Sequence, residues 1–311
     1  MNLDKIVIVG FGNHITKRII PAIQKIRKLK IEYAIVRKPK KYSNANIEHN
    51  IKFYDFNKKI NNNIKWVYIS TPIKTHYKIV NKYLDENKNI ICEKPLTHSF
   101  IKTKKLIDKA LAKNLILHEV DMYKHHIQYK NLKKIIKSNY NNITSVKSVF
   151  IIPQQNKSDS IYSSTLTGDS VYSVGYYPVS IALSLFGEPK SISYENRKKN
   201  IKNISLSNSV KFIYDNFYCC LKWEIGSKYS NEITIKTNQE IFKFNKIFAK
   251  DPNYLSTFNI KKLNRNNQIF LGSDDQFVNM IRKFIFKKIR PNYSISKSVS
   301  KYLEIIAKNK I

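Results

Sequence analysis

The feature that most constrains the fold is a β-branched run that leads directly into a glycine turn near the start of the chain. Residues 6–9 are continuously apolar, as in a strand buried on both faces of a parallel sheet. Gly10 and Gly12 follow, and apolar residues then recur at helical spacing over residues 15–26. Strand, glycine turn and helix in this order are the context of a dinucleotide-binding site. We expect Gly10 to form the tight turn and Gly12 to let the backbone approach a pyrophosphate.

The glycine pattern departs from the usual fingerprint at its third small position, where Ile15 stands. A large residue there implies a wider spacing between the helix and the strand. A βα turn that binds no ligand is therefore the alternative interpretation. We take Asn13 and His14, which open the helix, as further candidate cofactor-binding residues.

The end of the second predicted strand, residues 33–36, indicates which dinucleotide would bind. In an NAD site an acidic residue about 20 residues beyond the glycines binds the ribose hydroxyls. Arg37 stands at this strand end instead. Arginine suits a 2′-phosphate, because its guanidinium donates charge-assisted and often bidentate hydrogen bonds. We therefore predict NADP as the cofactor, with NAD as the alternative.

Two later strands, residues 66–69 and 90–92, both end in polar residues followed by a proline. Ligands bind at the carboxyl ends of the strands in an open α/β sheet, so Lys94 would bring an amine to that edge. His76 begins the intervening helix and is either a structural histidine or part of the site. The candidate cofactor-binding residues at these two strand ends are Ser70, Thr71, Pro72, His76, Glu93 and Lys94.

The second half of the chain changes character, because short runs of alternating apolar and polar residues replace the helical patterns. Such runs are typical of antiparallel strands. They occupy residues 145–152, 207–214, 217–223, 233–237 and 241–244. A segment over residues 168–187 interrupts them, and Ser173 and Tyr177 share one face if that segment is helical. Residues 275–289 and 299–306 have the spacing of amphipathic helices.

The chain length fits two domains of ordinary size. We predict a nucleotide-binding domain over residues 1–120 and a substrate and oligomerisation domain over 121–311, whose C-terminal helices pack back on the first domain. No apolar run approaches the ~20 residues that a membrane span needs. With no signal peptide in sight, we expect a cytoplasmic protein.

The net charge of +34 raises the question of a nucleic-acid partner. Lysines are spread along the whole chain, as in a composition biased toward A- and T-rich codons, and no element carries the clustered cations with interleaved aromatics of nucleic-acid binders. We therefore predict no nucleic-acid partner. The three cysteines have no metal-binding spacing, and the adjacent His125 and His126 cannot share a helix face, so we predict no metal site.

Three motifs follow one another along the chain: Thr71-Pro72 with His76, then Glu93-Lys94-Pro95, then residues 168–178. Together they resemble the glucose-fructose oxidoreductase / inositol dehydrogenase / MocA (Gfo/Idh/MocA) family of NAD(P)-dependent oxidoreductases. The likeness covers nearly the whole chain. It implies an α/β protein with an N-terminal Rossmann domain and a C-terminal α+β domain built on a large open, mainly antiparallel sheet. The resemblance also implies a homodimer or homotetramer, with the sheet often making the contact.

The resemblance assigns roles to individual residues. The family's Glu-Lys-Pro lysine falls on Lys94 and contacts the substrate oxygen that is oxidised or reduced. The second-domain motif holds an Asp and, four residues later, a His or Tyr, and these positions are Ser173 and Tyr177 here. The missing carboxylate is a departure, because it would orient or recharge the catalytic acid. The candidate substrate-binding residues are Tyr123, Lys124, Asp169 and Ser173.

The implied function is hydride transfer to or from a carbon of a sugar or sugar-nucleotide. Tyr177 would donate a proton to a carbonyl while Lys94 polarises the same oxygen. A nucleotide-linked ketosugar in polysaccharide biosynthesis is one candidate substrate. The alternative is a catalytically impaired family member that acts as a nucleotide-binding sensor or scaffold.

Overall fold

A computed structural model describes residues 3–156, 160–163, 165–199, 205–263 and 265–309. The chain forms two compact units. The first contains Met1–Val120 and Phe277–Tyr293, and the second contains Asp121–Gln276 and Ser294–Ile311. A compact unit is not necessarily a domain that folds on its own. The domain limits 1–120 and 121–311 therefore stay a prediction.

The first unit is built on a six-stranded parallel sheet with the order β3-β2-β1-β4-β5-β6. The strands are β1 (Asp4–Val9), β2 (Leu29–Ile35), β3 (Phe53–Tyr54), β4 (Trp66–Ile69), β5 (Asn89–Cys92) and β6 (Leu117–Glu119). The order reverses between β1 and β4, and such a switch point is where open α/β sheets bind ligands.

Helices connect the strands of this sheet. They are α1 (Ile20–Gln24), which continues a π-helical turn over Ile15–Ile19, α2 (Ser43–His49), α3 (Ile73–Asp85) and α4 (Phe100–Ala112). Val80 and Leu84 of α3 and Leu106 of α4 are fully buried in one apolar cluster with the strands. Burying each such side chain contributes about 1.5–3 kcal/mol, which fixes the strand ends in place.

The second unit contains an eight-stranded sheet with the order β14-β13-β12-β11-β7-β10-β9-β8. The strands are β7 (Ile143–Ile152), β8 (Ser191–Lys199), β9 (Ser205–Ile213), β10 (Tyr218–Ile225), β11 (Ser230–Thr237), β12 (Ile241–Asn245), β13 (Ser256–Lys262) and β14 (Arg265–Gly272). Only β7 and β10 pair in parallel, and the other neighbouring strands are antiparallel. Burial alternates along β10 and β11, as expected where one sheet face is covered.

The remaining helices are α5 (Ile127–Asn139), α6 (Ser170–Ser173), α7 (Tyr176–Phe186), α8 (Gln276–Ile281) and α9 (Tyr293–Lys308). The predicted helix over 275–289 is shorter than expected, because α8 gives way to a π-helical turn over Arg282–Phe286. None of the helices in the described part of the chain has the length and apolar character needed to span a bilayer.

Candidate functional site

The glycine turn follows β1, and its two glycines meet different surroundings. Gly10 has φ +88°, and a Cβ there would lie 2.2 Å from the carbonyl oxygen of Ser70 at the end of β4. Only glycine therefore fits this turn. A Cβ on Gly12 would meet no protein atom within 4 Å. The space beside Gly12 fits the approach of a pyrophosphate, although binding by either residue stays a prediction.

An aromatic cluster that the sequence interpretation missed supports this turn. The rings of Phe11 and Phe53 pack edge to face at 4.9 Å, and the ring of Tyr42 stacks on Phe53 at 5.1 Å. The Tyr42 hydroxyl donates a hydrogen bond of 3.2 Å to the Phe11 carbonyl. The segment after β2 thereby holds the backbone of the glycine turn. Arg37, which begins this segment, is exposed, and its contact with a cofactor stays a prediction.

Glu93, directly after β5, lies at the centre of a polar cluster. Its Oε1 accepts a hydrogen bond of 2.6 Å from the Tyr68 hydroxyl of β4 and lies 2.8 Å from Nε2 of His14. Burial alone would raise the pKa of Glu93, but the nearby His14, the hydrogen bond from the Tyr68 hydroxyl and the charge of Lys94 together lower it to about 2. Glu93 is therefore a carboxylate at any ordinary pH.

Lys94 is half-buried beside this carboxylate. Burial lowers the pKa of Lys94 to about 8, and the negative charges of Glu93 and Glu119 oppose that shift. Glu119, the last residue of β6, accepts a hydrogen bond of 2.7 Å from the Leu96 amide. The Lys94–Pro95 peptide bond is cis. The strand ends thus hold an ammonium group that changes its charge near pH 8.

His76 is fully buried and joins the two strand-end segments. Its Nε2 lies 2.7 Å from the Thr71 carbonyl oxygen and its Nδ1 lies 3.0 Å from the Pro95 carbonyl oxygen. Burial lowers the pKa of His76, whereas the two carbonyl contacts oppose that shift. Both nitrogens are engaged within the protein, so the geometry gives His76 a positioning role. Its direct contact with a cofactor stays a prediction.

Tyr177 lies in the second unit, near the start of α7, within an aromatic environment. Its ring packs against Phe150 at 4.7 Å and Phe248 at 5.4 Å, and its hydroxyl lies 3.9 Å from the Met122 sulfur. Tyr123 is fully buried and its hydroxyl lies within 2.9 Å of the Ser180 hydroxyl. The described contacts give Tyr123 a packing role, and its substrate contact stays a prediction.

Ser173 and Tyr177 are not on one helix. Ser173 ends α6, and Tyr177 lies in α7 beyond the break at Val174 and Gly175. A Cβ on Gly175 would lie 2.7 Å from the ring of Trp223 and 2.8 Å from the Val171 carbonyl. This close approach of Trp223 explains the glycine in the second-domain motif.

The start of α6 is organised by Asp169 and Ser170. Asp169 caps the helix by accepting a hydrogen bond of 3.1 Å from the Val171 amide. The Ser170 hydroxyl accepts hydrogen bonds of 3.2 Å from Nε1 of Trp223 and from Nδ2 of Asn208. The sequence interpretation missed Ser170, whose partners come from distant strands. Substrate contact by Asp169 or Ser173 stays a prediction.

Lys124 and His125 share one carboxylate. Nζ of Lys124 lies 3.0 Å from Oδ2 of Asp121, and Nε2 of His125 lies 3.2 Å from its Oδ1. His126 faces elsewhere, and its Nδ1 accepts a hydrogen bond from the Gln128 amide at the start of α5. A substrate contact by Lys124 stays a prediction.

Comparison with known proteins adds to this geometry. Residues 5–120 match the model of the GFO_IDH_MocA family, described as "Oxidoreductase family, NAD-binding Rossmann fold". Over these residues the chain is similar to the Gfo/Idh/MocA oxidoreductases. The predictions of family, of fold class and of NAD(P)-dependent oxidoreductase activity are confirmed.

Relatives of this chain carry several names. A dTDP-3,4-didehydro-2,6-dideoxy-alpha-D-glucose 3-reductase of Actinomadura kijaniata is 23% identical over 221 residues, which are 70% of this chain and 67% of the relative. D-xylose 1-dehydrogenase (NADP(+)) 2 of Haloferax volcanii is 32% identical over 127 residues, 40% of this chain and 39% of the relative.

Among solved structures, KijD10, a 3-ketoreductase from Actinomadura kijaniata in complex with NADP and TDP-benzene, matches with a TM-score of 0.88 and 17% identity over 97% of this chain and 96% of that one. Aldose-aldose oxidoreductase from Caulobacter crescentus matches with a TM-score of 0.84 and 14% identity over 98% and 96%. At these identities the likeness shows that the chain shares the fold of these two proteins.

Proposed function

We propose that the protein is an NADP-dependent reductase that transfers hydride to a keto group of a nucleotide-linked sugar. The observation that carries this proposal is Lys94, an ammonium held beside two carboxylates at the carboxyl end of β5. Four relatives share the name of a dTDP-linked ketosugar 3-reductase, and a protein with the same fold binds NADP and TDP-benzene. These names support the substrate class.

The residues present fit an NADP molecule. Gly12 leaves open space at the helix N-terminus, and Arg37 is exposed at the end of β2 beside further cations, as a 2′-phosphate requires. When bound, the nicotinamide supplies the hydride. The further candidates for holding the cofactor are Gly10, Asn13, His14, Ser70, Thr71, Pro72, His76, Glu93 and Lys94.

In this proposal Lys94 and Tyr177 have different roles in the reduction of the substrate carbonyl. The Lys94 ammonium stabilises negative charge as the carbonyl becomes an alkoxide. The Tyr177 hydroxyl donates the proton that completes the alcohol. Tyr123, Lys124, Asp169 and Ser173 are proposed to bind the substrate.

The cofactor proposal predicts a selective loss on replacing Arg37. Arg37→Ala should raise the Kd for NADPH about 10- to 100-fold and leave the Kd for NADH nearly unchanged, because a charge-assisted hydrogen bond to the 2′-phosphate contributes about 1.5–3 kcal/mol. Fluorescence titration of both variants with both cofactors measures this. Arg27→Ala, at the opposite end of β2 and also exposed, is the matched control. A wild-type Kd for NADH equal to or below that for NADPH would contradict the proposal.

The substrate proposal predicts NADPH oxidation with a nucleotide-linked ketosugar. Loss of NADPH absorbance should be rapid with a TDP-linked 3-ketosugar and much slower with the free ketosugar, because binding of the remote nucleotide helps to position the reacting carbon. Equal rates would argue against recognition of the nucleotide.

Ser173 favours a second candidate function. Ser173 stands where the family motif has a carboxylate, and loss of that carboxylate would impair catalysis. In this alternative the protein is a nucleotide-binding sensor or scaffold. Tight NADPH binding without turnover of any ketosugar would support that alternative. In either case we propose a cytoplasmic homodimer or homotetramer with no nucleic-acid or membrane partner.

A further inference from the structure

The two edges of the eight-stranded sheet differ in charge. β14 forms one edge and pairs only with β13, so the backbone groups along its outer side have no strand neighbour in the described sheet. Between Arg265 and Asp274 the sequence contains no charged residue. The other edge strand, β8, has four charged residues among its nine. Since 56 of 311 residues are Lys or Arg, the uncharged stretch stands out.

β14 also lacks cover on both of its faces. Residues 265–270 are all exposed, and Ile269 and Phe270 expose 39% and 73% of their surface. Successive side chains of a strand point to opposite faces, so each face carries an apolar group. Edge strands are usually protected from pairing by charges, prolines or bulges. Residues 266–270 contain no charge and no proline, and the one register shift of β14 against β13 lies beyond them, at Leu271.

We propose that β14 pairs antiparallel with β14 of a second copy of this chain, so that two sheets become continuous. This specifies the surface of the homo-oligomer proposed above, and it is independent of the catalytic proposal. It assigns the sheet contact that the family resemblance implies to one edge strand.

The charges at the ends of β14 favour a second copy as the partner. Lys261, Lys262 and Arg265 lie at its amino end, and Asp274 and Asp275 follow its carboxyl end. An antiparallel two-fold pairing brings the basic end of one strand toward the acidic end of the other. Elsewhere two copies of a chain with net charge +34 repel each other, so the uncharged edge is the favoured place of contact.

The test is the mass of the protein in solution by sedimentation equilibrium. The wild type should sediment as a multiple of 36.6 kDa, and the Ile269→Lys/Phe270→Lys double variant at half that mass or with a dimer Kd raised at least 10-fold. Lysines at this edge would repel the equivalent lysines of the second copy across the two-fold axis, and burying their charges in the contact would cost free energy. Both side chains are exposed, so unchanged circular dichroism and NADPH binding would show that the variant folds.

Two matched controls separate this edge from other surfaces. Ser193→Lys places a lysine on exposed β8, and Lys222→Glu changes a charge on β10; neither should alter the mass. Hydrogen exchange gives a second reading, since the outward amides of β14 should be slow in the wild type and fast in the double variant. A monomeric wild type, an unchanged mass of the double variant, or fast exchange of β14 in the oligomer would each overturn the proposal.

Discussion

Replacing Lys94 by alanine should lower turnover of the ketosugar at least ~10²-fold, about 3 kcal/mol in the barrier, because the alkoxide charge loses its cation. The Kd for NADPH should change far less than the turnover number. Steady-state kinetics with a titration of NADPH measures both. Lys104→Ala, an exposed lysine paired with Asp108, is the matched control. An unchanged rate in the Lys94 variant would remove this residue from the mechanism.

The pH dependence of the same reaction tests the charge of Lys94. Its pKa is lowered to about 8 by burial, so the cation is present below that pH and is lost above it. The wild-type rate should therefore fall as the pH rises through about 8. In Lys94→Ala this fall in rate near pH 8 should be absent, because the variant lacks the ammonium group whose deprotonation causes it. A fall that persists in the variant would assign the titration to another residue.

Replacing Lys250 by methionine should raise the free energy of unfolding at pH 7 by roughly 2–4 kcal/mol. Lys250 is buried in the second unit, and its ammonium donates a hydrogen bond of 2.9 Å to the Ile247 carbonyl. Burial lowers the pKa of Lys250 to about 7, although the charge of Asp274 opposes this. Keeping the amine in the interior therefore costs free energy, and methionine has a similar length without the charge.

The sign of the pH effect distinguishes this cause from simple packing. The unfolded lysine titrates near its ordinary value of about 10.5, so between pH 7 and that value the unfolded chain binds more protons than the native protein. The titration of Lys250 should therefore increase the free energy of unfolding of the wild type as the pH rises through this window. This increase should be absent in Lys250→Met. His126, whose pKa burial lowers to about 3, titrates below the window. Urea denaturation at several pH values measures the effect.

The exposed Lys236→Met is the control for the Lys250 variant, and its stability should match the wild type within about 0.5 kcal/mol. A Lys250→Met protein less stable than the wild type at pH 7 would show that the bond to Ile247 and the charge of Asp274 outweigh the cost of burial.

The local parts of the fold could be predicted from the sequence. The strand before Gly10 and the strand before Glu93 are continuously apolar, because both of their faces are buried, and their turns follow within a few residues. β14 was not predicted, since a strand exposed on both faces has no alternation of apolar and polar residues to read. β13 was also missed, although burial alternates over its first residues. β8, with its many charged residues, was missed for a related reason.

In the candidate site, too, local features could be predicted from the sequence and tertiary contacts could not. Lys94 and Arg37 could be named because strand ends of a parallel sheet meet at one edge. Glu119 was missed, although its position at the carboxyl end of β6 was a usable signal. The contact of Phe53 with Phe11 depends on tertiary packing, which single-sequence patterns do not contain.

The two glycines of the first turn are under different structural constraints. Any side chain at Gly10 would strike Ser70, so the chain needs that glycine in order to fold, whether or not it has a function. The chain itself tolerates a methyl group at Gly12, and only a ligand would be displaced by it. Genetic drift in a protein that had stopped binding its ligand would therefore erode Gly12 and spare Gly10. This chain has only seven glycines in 311 residues, and it keeps both.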